Sequence, residues 1–172
     1  MGDRMAELDA VFTDVVARLR AQLALAGLTV VDQDLERPWG GFLVLSAGEV
    51  DRFVAEFFAE AELLENAGRL TLSPKILIVA PQRRLSWQRH DRRSEIWRVI
   101  EGPVGVVRSP AGPDEHPERY ERGDVLRLAL GTAHRLVGLE RFGVVAEIWQ
   151  HTDPTHPSDE LDIVRIADDH GR

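Results

Sequence analysis

Frequent turn signals constrain the fold of this chain more than any other feature. After Gly68, Pro, Gly or a polar cluster soon interrupts each apolar run, and the runs have the length of short strands: LTL, KILIVA, LSW, IWRVI, VGVVRS, DVLRLAL, HRLVGL and VVAEIWQ. Many short strands with close turns are typical of an antiparallel sandwich or barrel. The sequence therefore predicts a mainly β fold for this region.

The N-terminal part contains two predicted helices. From about Asp3 to Ala26, apolar residues recur every three or four positions, and a glycine follows directly. The same spacing predicts a second helix at about 49–66. Between the helices, two short strands flank a bend at RPWGG, where proline and paired glycines exclude helix. We therefore predict an N-terminal amphipathic helix over residues 1–27 and a β domain over residues 28–172 with one inserted helix.

Length and composition restrict the function. At 172 residues, the chain suits one domain. Its formal net charge of −8 disfavours nucleic acid and anionic membranes as partners, and no apolar run reaches the ~20 residues that span a bilayer. Because the chain has no cysteine, any metal must be held by nitrogen and oxygen ligands. We expect a cytoplasmic protein without nucleic-acid or membrane partners.

Four potential metal ligands lie in two separate stretches. Gln88 and His90 are two apart in an extended run, so their side chains share one face, and Glu95 follows a polar turn. Residues Asp91 to Ser94 are predicted to form the turn of an antiparallel hairpin, and Glu95 to start its second strand, where its carboxylate meets the other two ligands. His134, in GTAHRL, arrives from a second hairpin. Imidazole, amide and carboxylate ligands suit Zn, Mn, Fe, Co or Ni, and four of them still leave room for water or substrate.

The two stretches resemble the paired motifs of the cupin superfamily, G-x5-H-x-H-x(3,4)-E-x6-G and G-x5-P-x-G-x2-H-x3-N. The first motif, with glutamine in place of its first histidine, matches at Gln88, His90, Glu95 and Gly102. The second motif matches at Gly123, Gly131 and His134. The resemblance implies a single cupin barrel, a double-stranded β-helix or jelly roll, with two α-helices added in its N-terminal part.

A narrower resemblance is to the type II mannose-6-phosphate isomerases, single-cupin enzymes whose zinc ligands are Gln-x-His with a later Glu and His. ERPWGGF is similar to their RPWG motif, RRLSWQRHDRRSEIWRVIEG to their L-S-x-Q-x-H-x-H-R-S/A-E-H-W-x-V-x-x-G block, and DIVRIADDHGR to their D-I-V-R-x-E-D-x-Y-G-R ending. The resemblance covers about Leu35 to Arg172 without the second helix. It departs at Asp91, Arg92 and Ile96, where the family has histidine.

The resemblance implies an isomerase that converts mannose-6-phosphate to fructose-6-phosphate with a divalent metal, in the first place Zn. Such a reaction needs a base that moves a proton between adjacent carbons and a cation that stabilises the enediolate. The candidates for catalysis are Arg93, Lys75 and Glu147, with Glu101 and His151 as weaker candidates for the base. The candidates for contact with the sugar phosphate are Arg37, Trp39 and Arg165.

The sequence leaves two other functions open. A metal-binding cupin can carry another chemistry, such as another sugar isomerisation, a cyclisation or a dioxygenation, because fold and metal alone do not fix the reaction. The departures at positions 92 and 96 also allow a carbohydrate-binding cupin without turnover. In either case, the amphipathic first helix and the edge strands favour a homodimer.

Overall fold

The computed structural model describes residues 2–58, 71–169 and 171. Its helices are α1, Gly2–Leu25, and α2, Val50–Phe57. Its strands are β1, Val30–Arg37; β2, Gly40–Leu45; β3, Leu72–Val79; β4, Trp87–His90; β5, Arg93–Glu101; β6, Val104–Arg108; β7, Glu118–Tyr120; β8, Val125–Leu128; β9, His134–Gly138; β10, Gly143–His151; and β11, Ile163–Ala167. The part of the second predicted helix after residue 58 lies outside the described residues. Neither described helix has the length and apolar character needed to span a bilayer.

The strands form two antiparallel sheets that face each other. One sheet has the order β1-β2-β3-β10-β5-β8, and the other has the order β11-β4-β9-β6-β7. Because side chains alternate between the faces of a strand, both sheets contribute to one core between them, including Leu77, Trp97, Val106, Leu136 and Val145. The structure confirms the predicted mainly β barrel with two helices in the N-terminal part.

The helices cover the outer face of the first sheet. Leu19 and Leu23 of α1 and Phe53 of α2 belong to a second core with Ile76 and Ile148, which alternate away from the core between the sheets. A spacing of four residues places Leu19 and Leu23 on one side of α1. Because this apolar side packs within the chain, α1 gives no direct support to a homodimer, which stays a prediction.

The C-terminal segment fixes the corner between β4 and β5. A short 3-10 helix, Glu160–Asp162, precedes β11, which pairs with β4. The Asp162 carboxylate accepts hydrogen bonds from the backbone N–H groups of Asp91 and Arg92, each at 3.1 Å, and from Ser158 Oγ at 2.6 Å. The corner is therefore held at the end of the barrel where the predicted ligands lie.

Candidate metal centre

A buried cluster of three side chains lies between the two sheets. His90 ends β4, Glu95 lies in β5 and His134 begins β9. Glu95 Oε1 is 3.1 Å from His90 Nε2, Glu95 Oε2 is 3.3 Å from His134 Nε2, and none of the three side chains is more than 2% exposed. Ligands that share one ion at about 2.1 Å lie roughly 3.0–3.5 Å apart. These spacings therefore fit a single divalent metal.

The ligands converge from opposite sheets, and the two predicted hairpins are wrong. β4 pairs with β9 and β11, whereas β5 pairs with β10 and β8. Because Asp162 binds the backbone at Asp91 and Arg92, the chain turns there from one sheet to the other instead of returning along β4. Glu95 thus meets the imidazoles across the barrel. The chain likewise crosses between the sheets from β8 to β9, just before His134.

The hydrogen bonding of His134 prepares its ring for a cation. Its Nδ1 lies 2.9 Å from the Thr132 carbonyl oxygen, which can only accept, so Nδ1 carries the proton. In the neutral ring, the Nε2 lone pair then faces Glu95 Oε2, and this buried Nε2 has no hydrogen-bond partner among the described residues. A lone pair and a carboxylate oxygen repel each other unless a proton or a cation lies between them. The donor set therefore fits a divalent metal.

Glu95 is held in its charged form. Burial disfavours the charge, but the Arg93 guanidinium and the contacts with His134 and His90 outweigh burial and hold the pKa of Glu95 well below its usual range. Arg93 Nε donates to Oε1 at 2.7 Å, and Trp97 Nε1 donates to Oε2 at 3.1 Å. The cluster thus offers a carboxylate to a metal at neutral pH.

Gln88, the fourth predicted ligand, lies beside the cluster. It is opposite His134 in the pairing of β4 with β9. Its Oε1 accepts a hydrogen bond from Ser86 Oγ at 2.8 Å. An amide oxygen has two lone pairs, so this bond leaves one for a metal.

An open pocket of about 490 Å³ adjoins the cluster. The predicted catalytic and substrate-binding residues all line it: Arg37, Trp39, Lys75, Arg93, Glu147 and Arg165. The weaker candidates for the base have other partners. Glu101 pairs with Arg18 of α1, and His151 hydrogen-bonds to Ser73 and Ser158. Of the candidate bases, the structure brings Glu147 to the pocket.

Glu147 and Glu95 share one indole N–H group. Trp97 Nε1 donates to Glu147 Oε1 at 2.9 Å and to Glu95 Oε2 at 3.1 Å. Burial, and then the nearby charge of Glu95, raise the pKa of Glu147 to about 8. Near neutral pH the two carboxyls therefore differ, because Glu95 is charged whereas Glu147 holds a proton that it can exchange.

Lys75 lies in the pocket wall between aromatic rings and an acid. Its Nζ is 4.0 Å from the centre of the Phe42 ring and 4.6 Å from that of the Trp149 ring. It also pairs with Glu160 Oε1 at 3.0 Å. Two cation–π contacts and one ion pair thus hold Lys75 in the pocket wall.

Sequence reasoning missed Trp97, which donates to Glu95 and Glu147, and the pocket residues Trp149 and Glu160. The tryptophans follow Glu95 and Glu147 by two positions. Because residues two apart in a strand share a face, the positions of these glutamates in β5 and β10 could have predicted the tryptophans beside them. Glu160 precedes β11 in a polar tail, where no periodicity marks it.

The departures from the isomerase motif lie away from the cluster. Asp91 is exposed and pairs with Arg89, and Arg92 pairs with Asp159 at 3.0 Å. Ile96 packs in the core between the first sheet and the helices. These residues therefore differ from the motif without changing the contacts of the three clustered ligands.

Comparison with solved structures identifies the fold. No protein-family model matches the sequence, and a search of curated proteins found no match. The structure is similar to vicilin from Corylus avellana (hazelnut), with 16% identity over 78% of this chain and 35% of that chain and a TM-score of 0.52. KdgF from Halomonas sp. matches 72% of this chain and 89% of that chain at 15% identity, with a TM-score of 0.49. A cupin 2 conserved barrel domain protein from Salinispora arenicola CNS-205 matches 47% and 64% of the respective chains at 21% identity, with a TM-score of 0.41. The chain has the cupin fold.

The buried Glu147 predicts how stability depends on pH in the metal-free protein. Unfolded glutamate titrates near 4.5, whereas folded Glu147 titrates near 8. Between these values the folded protein keeps a proton that the unfolded chain has released, so this group lowers the free energy of unfolding as pH rises, by up to ~1.4 kcal/mol per pH unit. Urea unfolding at pH 5 and pH 8 with chelator present measures this loss. Glu147→Gln should remove it, and an equal loss in the variant and the wild type would contradict the assignment.

Proposed function

We propose that this protein is a metal-dependent aldose–ketose isomerase acting on a sugar phosphate, with mannose-6-phosphate to fructose-6-phosphate as the favoured reaction. The observation that carries the proposal is the pair of carboxyls on the Trp97 indole. Charged Glu95 lies between two imidazoles, and Glu147 holds a proton near neutral pH. The first arrangement suits a metal, and the second suits proton transfer.

The proposed metal ligands are His90, Glu95 and His134, with Gln88 as the fourth. Imidazole, carboxylate and amide ligands favour Zn, and Mn, Fe, Co or Ni also suit them. When bound, the ion would supply a Lewis acid that stabilises negative charge on a substrate oxygen. Because the cluster is buried, charges in it interact more strongly than they would in water.

Glu147 is the proposed base that moves a proton between the two substrate carbons. Its side chain lines the pocket and is almost fully buried, and Trp97 fixes the position of Oε1. A group that transfers protons works best when its pKa lies near the working pH, and in the metal-free protein burial and then the charge of Glu95 raise the pKa of Glu147 to about 8. Burial therefore tunes an ordinary carboxyl for proton transfer near neutrality.

The pocket wall supports an anionic, hydroxyl-rich substrate. Arg37, Lys75 and Arg165 line one pocket, where Arg37 pairs with Asp34 and Lys75 with Glu160, so a phosphate would meet the guanidinium of Arg165 and the two paired cations. Arginine binds phosphate oxygens through paired hydrogen bonds, and lysine binds them as a point charge. Trp39 would offer an apolar surface to the sugar ring.

A cupin of other function is the second candidate. The comparisons establish the fold, and one fold supports many reactions. The Arg93 guanidinium also contacts ligand atoms of Glu95 and His90, so the metal-free cluster has its own internal cation. This contact favours a carbohydrate-binding cupin without turnover over a permanently loaded isomerase, whereas a metal cupin of another chemistry is supported by the fold alone.

Turnover by the metal-loaded protein separates these functions. We expect conversion of mannose-6-phosphate and much slower conversion of unphosphorylated mannose, because unphosphorylated mannose would have no anionic group for the cations of the pocket wall to bind. Protein treated with chelator is the control and should be inactive. Bound sugar without turnover under each of the five candidate metals would contradict the isomerase and support a binding protein. Oxygen consumption with iron would instead support a dioxygenase.

A further inference from the structure

Arg93 lies against two of the proposed ligand atoms at once. Its Nε donates to Glu95 Oε1 at 2.7 Å, and its Nη2 lies 3.2 Å from His90 Nε2. The same Oε1 and Nε2 are 3.1 Å apart. A guanidinium can only donate, so Nη2 places a cationic N–H group directly in front of His90 Nε2. Arg93 thus lies where a metal bound to His90 Nε2 and Glu95 Oε1 would be.

The Arg93 side chain is held in this position from its other side. Nη1 donates to Ser158 Oγ at 2.9 Å and to the Asp159 carbonyl oxygen at 3.3 Å. The guanidinium carbon is 3.6 Å from the centre of the Trp149 ring, and the side chain is 2% exposed. Because every nitrogen of the guanidinium has a partner, the Arg93 side chain is held in one conformation, and the contact with His90 is part of it.

A divalent ion and this position of Arg93 compete for the same site. The ion would need the lone pair of His90 Nε2 and would share the Glu95 charge with a guanidinium that lies in contact with both residues. Two cations at this separation repel each other strongly in a buried site. Without the ion, however, Arg93 is what neutralises the buried Glu95.

We propose that Arg93 is an internal competitor of the metal: it stabilises the metal-free cluster, weakens the affinity for a divalent ion, and gives up its contact with His90 when the ion binds. This inference rests on the proposed metal centre. Removal of Arg93 should therefore increase the affinity for the metal. Removal of a residue that only orients a metal ligand has the opposite effect and typically weakens metal binding by about 10–100-fold.

Isothermal titration with Zn²⁺ on chelator-treated protein tests the inference. Arg93→Gln should bind Zn²⁺ at least about tenfold more tightly than the wild type, because the ion then meets an unpaired Glu95 carboxylate. Arg93→Lys keeps the charge without the fork that reaches both ligand atoms, so its affinity should lie between the two. Arg92→Gln is the matched control. It removes a neighbouring charge that pairs with Asp159, and its affinity should equal that of the wild type.

Thermal melting of the same proteins shows whether each variant is folded, so that a change in Zn²⁺ affinity can be separated from unfolding. Metal-free Arg93→Gln should melt below the wild type, and Zn²⁺ should raise its melting temperature by more than it raises that of the wild type. Weaker Zn²⁺ binding by both Arg93 variants, or binding equal to that of the wild type, would overturn the inference and leave the metal centre in place. Absence of Zn²⁺ binding in all of these proteins would overturn both.

Discussion

Replacing Glu95 with alanine is expected to abolish stoichiometric metal binding and to lower the melting temperature of the metal-free protein by about 10 °C. Both carboxylate oxygens accept hydrogen bonds, from Arg93 and from Trp97, in the interior of the barrel. The variant leaves the Arg93 guanidinium buried without its counterion, which typically costs about 3–5 kcal/mol. Calorimetric titration with Zn²⁺ and thermal melting followed by circular dichroism measure the two effects.

The matched control for this prediction is Glu140→Ala. Glu140 pairs with Arg119 at 2.7 Å on an exposed surface, so its loss removes a glutamate and an ion pair without touching the cluster. We expect this variant to bind Zn²⁺ and to melt like the wild type. Zn²⁺ bound by Glu95→Ala with the affinity of the wild type would show that the ion lies elsewhere.

Replacing Glu147 with glutamine is expected to lower the rate of isomerisation by about 10²–10⁴-fold, the usual contribution of one positioned acid–base group. Glutamine has the shape of the protonated carboxyl that Glu147 presents near neutral pH, and its amide oxygen can accept the hydrogen bond from Trp97. The fold and the affinity for Zn²⁺ should therefore stay unchanged. Steady-state kinetics with mannose-6-phosphate measure the loss.

Glu101→Gln is the control for the loss of one glutamate. The sequence offers Glu101 as an alternative base, but it pairs with Arg18 of α1 at 2.9 Å, and it lies six residues from Glu95 along β5, roughly 20 Å in an extended strand. Its substitution should leave the rate unchanged. Loss of activity in Glu101→Gln with activity retained in Glu147→Gln would contradict the assignment of Glu147 as the base.

Local patterns in the sequence predicted much of the fold and of the pocket. Turn signals at close spacing indicated short antiparallel strands, and the period of the apolar residues indicated the helices. Alternation predicted that Gln88 and His90 share a face, and the structure brings His90 to Glu95 and His134. These predictions succeed because each depends on neighbours within one strand or one helix.

The pairing of strands could not be predicted in the same way. The sequence shows a turn between His90 and Glu95, but whether that turn closes a hairpin or crosses between sheets depends on Asp162, some seventy residues later, which binds the backbone of the turn. The contact of Arg93 with both His90 and Glu95 depends on Ser158 and Trp149 as well. Such arrangements arise from tertiary packing and leave no short-range pattern.

Proton NMR of the Zn²⁺-loaded protein with mannose-6-phosphate in D₂O is the decisive experiment for the proposed isomerase. A base that removes a proton from the carbon next to the carbonyl exchanges it with solvent, so we expect fructose-6-phosphate that carries deuterium at C1. The same sample with chelator should show no conversion. Mannose-6-phosphate that stays unchanged with a metal demonstrably bound at His90, Glu95 and His134 would contradict the proposed function.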